Sequence, residues 1–164
     1  MNTKLLSFML IFTFILTACS PASKHYTAES IMEKYDIPEK RVKEDDFYGI
    51  KCTRINCLYS KAKTDYDNLS FCIFSSEAEA KRAFKKSAGI FRDFEDSGDN
   101  FYKGWLAGVC DADILAYEYL TGNMIIYTEL AVIGCWGTAE ELAGQPGPDY
   151  EYIDHIIELI NKEF

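Results

Sequence analysis

Histidine is almost missing from this chain. His25 and His155 are the only two in 164 residues, and they stand far apart in sequence. A Ser/His/Asp triad or a Cys/His pair needs an imidazole beside its nucleophile, so such sites are hard to assemble here. There is no Cys-x-x-Cys, which removes the thioredoxin-type redox motif. Scattered single cysteines without paired histidines make a poor zinc site. Basic residues are also short: 17 Lys and Arg stand against 26 Asp and Glu, for a formal charge of −9. Nucleic-acid affinity comes largely from Lys and Arg on phosphates, so that balance excludes nucleic acid as an expected partner. The bland reading of the charge is solubility. Asp96-Ser97-Gly98-Asp99-Asn100 has oxygen donors but not the spacing of a calcium loop, and turn chemistry accounts for it. Neither a metal nor an organic cofactor is expected.

Long apolar runs are confined to one place. Lys4 precedes Leu5 to Leu16, an apolar core of twelve residues, and the small residues Thr17 and Ala18 lead into Cys19. Twelve residues make a helix of about 18 Å, short against a hydrocarbon core of about 30 Å. A positive start, a short apolar core and a small-residue exit mark a secretory signal that is removed. Leu16-Thr17-Ala18-Cys19 resembles the lipobox of bacterial lipoproteins. That resemblance implies a diacylglyceryl thioether on Cys19 and cleavage before it. The chain is then held on the extracytoplasmic face of the cell membrane by the lipid on Cys19, since two acyl chains anchor stably. The alternatives are an ordinary signal peptide or an uncleaved anchor, with Cys19 uninvolved.

The chain therefore divides into a lipoprotein signal peptide at 1–18, a lipidated tether at 19–26 and a single globular domain at 27–164. Cleavage removes Lys4 and no acid, which takes the formal charge from −9 to −10. An acidic domain is repelled by an anionic bilayer, so the lipid must do the holding. Outside the cytoplasm disulfides are permitted. Besides Cys19 the cysteines are Cys52, Cys57, Cys72, Cys110 and Cys135, and an odd number leaves one over. Cys52 with Cys57 across a tight bend, and Cys110 with Cys135 at the ends of neighbouring strands, are the candidate disulfides. Cys72 is then the buried leftover.

Within the domain, Thr27 is placed to cap a helix that carries Ile31, Met32 and Tyr35 and stops at Pro38. Residues 39–46 read as a charged, solvated connector. Residues 47–63 alternate loosely, as two short strands or one bent strand. Leu69 to Phe74 is apolar on both faces and reads as a strand inside a sheet. Ser76 with Glu79 forms a capping box. Behind it Ala80, Ala83, Phe84, Ser87, Ala88, Phe91 and Phe94 recur at three and four, predicting an amphipathic helix that runs to Ser97-Gly98. Phe101 to Cys110 reads as an irregular strand. Residues 114–120 and 124–133 read as two strands joined at Gly122-Asn123, residues that tolerate the positive φ of a tight hairpin. A two-residue loop pairs Leu120 with Ile125, Tyr119 with Ile126 and Leu115 with Leu130, and leaves Glu118 and Glu129 diagonal. The face without charge should meet helices, and the face with both glutamates should see water. Asp149 is placed to cap a last helix with the stripe Ile153, Ile156, Ile157, Ile160 and Phe164. The sum is an α+β fold: a two-layer sandwich, mainly antiparallel sheet with helices packed on one face.

Trp105, Tyr117, Trp136 and Gln145 mark the candidate recognition surface, because aromatics beside the shaped loop of residues 137–148 suit protein or glycan contacts. A core tryptophan and an ordinary connector explain the same residues. The layout is similar to that of small uncharacterised lipoproteins of Gram-positive gut-type bacteria. In those, a segment like Phe71 to Phe84 runs strand into capped helix, and one like Asn123 to Thr128 precedes a last helix like Tyr152 to Ile160. The resemblance implies no activity. The reading that follows is a non-enzymatic envelope module that binds an unknown envelope protein or glycan, with no catalytic residues. The alternatives are a small envelope enzyme using an acid or a thiol, with Glu118 or Cys72 to test, and the ligand-binding lipoprotein of a transporter. The last usually needs two lobes around a cleft.

Overall fold

The computed structural model describes residues 24–57, 68–107, 113–131 and 150–164. Thr27 opens the first helix, α1 (Ala28–Tyr35), in an extended backbone conformation; its hydroxyl takes the Ser30 amide while Ser30 returns the bond. The helix ends at Asp36, which turns left-handed at φ 53, two residues before Pro38. Then come β1 (Val42–Asp46), β2 (Lys51–Cys57) and β3 (Asn68–Ile73). Ser76 caps α2 (Glu77–Ser87), followed by β4 (Phe91–Ser97), β5 (Phe101–Ala107), β6 (Asp113–Thr121), β7 (Met124–Ala131) and α3 (Tyr150–Glu163).

Among the described residues the strands form one seven-stranded antiparallel sheet in the order β1-β2-β3-β7-β6-β5-β4. This is the α+β class expected, a mainly antiparallel sheet with helices packed against it. The helices were expected on one face of a two-layer sandwich and instead divide between its two faces, because adjacent positions of β3 and β7 are apolar on both sides. Ile31 of α1 and Ile153, Ile156 and Ile160 of α3 bury against Ile55, Phe71, Tyr117 and Ile126 on one face. Ala80, Ala83 and Phe84 of α2 bury against Cys72, Leu120 and Ile125 on the other. The sheet is thus the middle of the stack.

The β6–β7 hairpin has the expected register: Leu120 opposite Ile125, Tyr119 opposite Ile126, Leu115 opposite Leu130, with Glu118 and Glu129 diagonal. β3 lies inside the sheet, buried from Leu69 to Ile73. The last helix buries its expected isoleucines at 153, 156 and 160; its proposed cap, Asp149, lies outside the described residues.

Three expectations give way. The connector at 39–46 contains a strand: β1 pairs along β2, with Val42 opposite Ile55. Its charges are those an edge strand carries on the side where no further strand should add. The long helix after Ser76 stops at Ser87, and residues 91–97 are β4. The spacing of Phe91 and Phe94 imitates a helix because β4 is bulged between Phe91 and Asp93 and again between Phe94 and Asp96. An extra residue in a strand lets side chains three apart meet. The two rings stack at 5.0 Å, and both touch Tyr102, but Phe94 stays 47% exposed. Gly104 of β5 accepts the bulge, since a Cβ there would collide with the Asp93 carbonyl oxygen. The glutamate-bearing face does not see water at Glu118, because α2 covers it.

The β6–β7 turn uses its two residues differently from expectation. Gly122 takes φ +53, and a Cβ there would strike the carbonyl of Lys24. Asn123 has no positive φ; it is a brace. Its Oδ1 accepts from the Tyr26 amide at 2.7 Å, and its Nδ2 donates to the carbonyls of Tyr26 at 3.0 Å and Phe74 at 2.9 Å. One buried amide therefore joins the chain before α1, the end of β3 and the hairpin. Asn123→Ala leaves these groups unpaired in the interior, an expected loss of about 2–4 kcal/mol in urea unfolding. Asn123→Asp should lose at least as much near neutral pH, because a carboxylate would face two carbonyl oxygens.

Candidate functional site

In an antiparallel sheet residues two apart share a face. On the face beneath α2 this rule gathers Cys52 and Arg54 of β2, Ser70 and Cys72 of β3, Ile125, Tyr127 and Glu129 of β7, and Ala116 and Glu118 of β6. It is the polar face of the sheet, and a helix seals it.

Glu118 is fully buried, which pushes its carboxyl up to about 7. Ser87, at the last turn of α2, sits against Glu118 Oε2, and its Oγ also lies 2.8 Å from the Phe84 carbonyl. One hydroxyl proton cannot serve both acceptors. With Ser87 donating to Phe84, the Glu118 carboxyl must itself donate to Ser87 Oγ, which requires the neutral acid. A carboxylate there would have to take the Ser87 proton from Phe84, and among the described residues Oε1 has no hydrogen-bond partner. Tyr127 donates its hydroxyl to Glu129, and burial followed by the Glu129 charge pushes its ionisation well above the usual range.

At the β1–β2 side of this face Cys52 and Cys72 are both buried free thiols that share a hydrogen bond. That bond from Cys72 lowers the Cys52 thiol, and the Arg54 guanidinium adds to the effect. The same bond and burial raise Cys72. Arg54 contacts the Cys72 sulfur, lies over the Phe47 ring at 5.8 Å, and places Nε 3.2 Å from Asp45 Oδ2, a charge contact without hydrogen-bond alignment. The β1–β2 turn closes above them. Phe47 and Ile50 exchange backbone bonds around Tyr48-Gly49, both at positive φ, 51 and 79. This is the primed turn a two-residue hairpin demands, with a bulky aromatic where glycine or asparagine is the easy choice. Tyr48 keeps the position by packing edge-on to Phe47 at 4.5 Å.

On the outer side, an open groove of about 430 Å³ runs between α2 and the β4–β5 turn. Its walls are Phe84, Tyr102 and Leu120, with Lys81, Lys85 and Asp99 at the rim. Phe84 and Tyr102 stack at 4.1 Å.

Of the disulfide and recognition residues marked in sequence, the structure describes Cys52, Cys57, Trp105 and Tyr117; Trp105 and Tyr117 are diagonal neighbours on one sheet face. Cys52 and Cys57 do not face each other across a bend: both belong to β2, five positions apart, or about 17 Å along a strand. A disulfide rarely spans Cα atoms more than about 7 Å apart, so that pairing is withdrawn. Tyr117 is core, 3% exposed under the α1 and α3 face, and offers no recognition surface. Trp105 is half-buried and donates its indole N–H to Glu95 Oε1 at 3.0 Å. Cys19, Cys110, Cys135, Trp136 and Gln145 lie outside the described residues. Sequence reasoning missed Arg54 and Tyr48. The Cys52-Thr53-Arg54 spacing already set two side chains on one face, but their neighbour Cys72 is chosen by the β2–β3 register.

No protein-family model, no curated protein and no solved structure matches this chain.

The buried acid gives the fold a pH dependence. Folded Glu118 keeps its proton up to about 7, whereas the unfolded group releases it near 4.5. Between those values the folded chain binds more protons, so stability falls as pH rises and levels off above about 7, a total loss of about 3 kcal/mol. In Glu118→Gln this fall should be absent. Urea unfolding near pH 5 and near pH 8 checks it, with the variant more stable than wild type only at the higher pH.

Proposed function

We propose that this chain is a membrane-anchored extracytoplasmic lipoprotein whose α+β domain is a non-enzymatic binding module for an envelope protein or glycan. The observation that carries the reading is Leu16-Thr17-Ala18-Cys19 behind a short apolar core. The geometry of the domain is compatible with such an anchor. Lys24 crosses the β6–β7 turn, where its carbonyl lies over Gly122 and its ammonium reaches the Phe164 carbonyl. Cys19 is five residues earlier, at most about 18 Å of extended chain. A lipid on Cys19 would therefore hold the end of the sheet that carries Tyr48-Gly49 and Gly122 toward the bilayer. The end where β2, β5 and β7 finish would face away, about 30 Å distant along the nine residues of β6. No helix among the described residues is long and apolar enough to cross a membrane.

A binding role is favoured over the enzyme alternative by burial. Glu118 and Cys72, the acid and thiol an enzyme would use, are both sealed under α2 and the β1–β2 turn. The groove of Phe84, Tyr102 and Leu120 is open, and its lysine rim suits an acidic peptide or an anionic glycan. The transporter alternative needs two lobes around a cleft, and the described residues build on one sheet.

The test is the intact mass of the full chain extracted from membranes. A mass matching residues 19–164 plus diacylglyceryl is expected, and Cys19→Ala should abolish the lipid and the cleavage. An unprocessed, unlipidated wild-type chain in the cytosol would overturn the reading.

A further inference from the structure

β2 and β3 run antiparallel with Arg54 directly opposite Cys72 and Thr53 opposite Ile73. Cys52, two residues before Arg54, is therefore the diagonal neighbour of Cys72 on the same face. Diagonal pairs stand farther apart than directly opposed ones. Here both thiols are buried in one cluster beneath α2 and the β1–β2 turn, and their mutual interaction shifts the ionisation of each. A disulfide needs its sulfurs at about 2.05 Å, so closing one takes side-chain rotation and a small shift of β2, whose outer neighbour is only the five-residue edge strand β1. Cys57, by contrast, is separated from Cys52 by most of the length of β2.

We propose that Cys52 and Cys72 are a disulfide-forming pair that staples β2 to β3 when the folding chain meets a disulfide oxidant. The inference relies on the extracytoplasmic reading only for where that oxidant is met. The chemistry is two thiol–disulfide exchanges. One of the two, as its thiolate, attacks one sulfur of a small-molecule disulfide, forming a mixed disulfide and expelling one thiolate. The other then gives up its proton and attacks the sulfur of the first, expelling the second thiolate. Two protein thiols are oxidised, one disulfide is reduced to two thiols, and the proton count balances. Once β2 pairs with β3, Arg54 lies on the same face, two residues from Cys52 and directly opposite Cys72, and its charge favours thiolate formation there. In the folded state Phe47, Ile50 and Phe74 seal both sulfurs, so exchange precedes closure of the β1–β2 turn and the finished bond is shielded from reductants. With Cys52 and Cys72 joined, the leftover cysteine among 52, 57 and 72 is Cys57 and not Cys72.

The full chain extracted from membranes is divided. One half is alkylated directly; the other is reduced in urea, refolded with glutathione disulfide, and then alkylated. Both are mapped by peptide mass, and the intact mass reports lipidation. A peptide joining Cys52 to Cys72 is expected in both halves. Reduction of the refolded protein should lower Tm by roughly 5–10 °C. Cys72→Ala and Cys52→Ala should each lose the linked peptide and the redox dependence of Tm; the wild-type comparison stands even if a variant fails to fold. Refolded protein with both thiols alkylated, or with either joined mainly to another cysteine, overturns the pairing. A lipidated chain with both thiols free in both halves overturns the pairing and leaves the lipoprotein reading intact. An unlipidated chain that still forms the bond on refolding does the reverse.

Discussion

The structure depends on one ladder, the pairing of β3 with β7. Every other adjacent pair of strands in the sheet is consecutive in sequence: β1-β2-β3 is one meander and β4-β5-β6-β7 another. Phe71 opposite Ile126 and Cys72 opposite Ile125 join the two. The intervening chain is more than fifty residues long, and closing such a loop costs entropy that only a well-buried contact can offset. Both faces of this ladder are accordingly sealed, with Phe71, Ile125 and Ile126 all at 2% exposure or less. Asn123 locks its end, since the same residue that turns the hairpin also holds the Phe74 backbone through its own carbonyl and side chain.

That ladder also assigns the two faces their chemistry. Odd-numbered positions of β3 and even-numbered positions of β7 point to α1 and α3 and are mostly apolar, the buried Thr128 being the exception: Phe71 stacks with Tyr35 at 5.4 Å while Ile126 meets the α3 isoleucines. The opposite positions carry thiols, an arginine, tyrosines and two glutamates under α2. A face of this kind is stable only if its polar groups satisfy one another or stay neutral. Glu118 does the second, Tyr127 with Glu129 the first, and the two thiols with Arg54 a mixture of both.

Local pattern was a good guide wherever one periodicity acted alone. The β6–β7 register follows from a two-residue loop and alternation, and the stripe of α3 from repeats of three and four. It failed where two patterns overlap. In β4 a pair of bulges reproduces helical spacing, so Phe91 and Phe94 read as a helix face while they sit on a bent edge strand. In β1 the charges read as a solvated connector because an edge strand needs no apolar face on its outer side.

The capped starts of α1 and α2, the apolar stripe of α3 and the hairpin were determined by sequence alone. Each rests on residues within a few positions of one another. What surrounds Cys72, Glu118, Arg54 and Tyr117 was decided only by tertiary structure. Their neighbours come from strands far away in the chain, and alternation says that two residues share a face without saying which partner lies across from it. Cys52 and Cys72 are 20 positions apart in sequence and adjacent in space because β2 pairs with β3 in one register and not in another shifted by a residue.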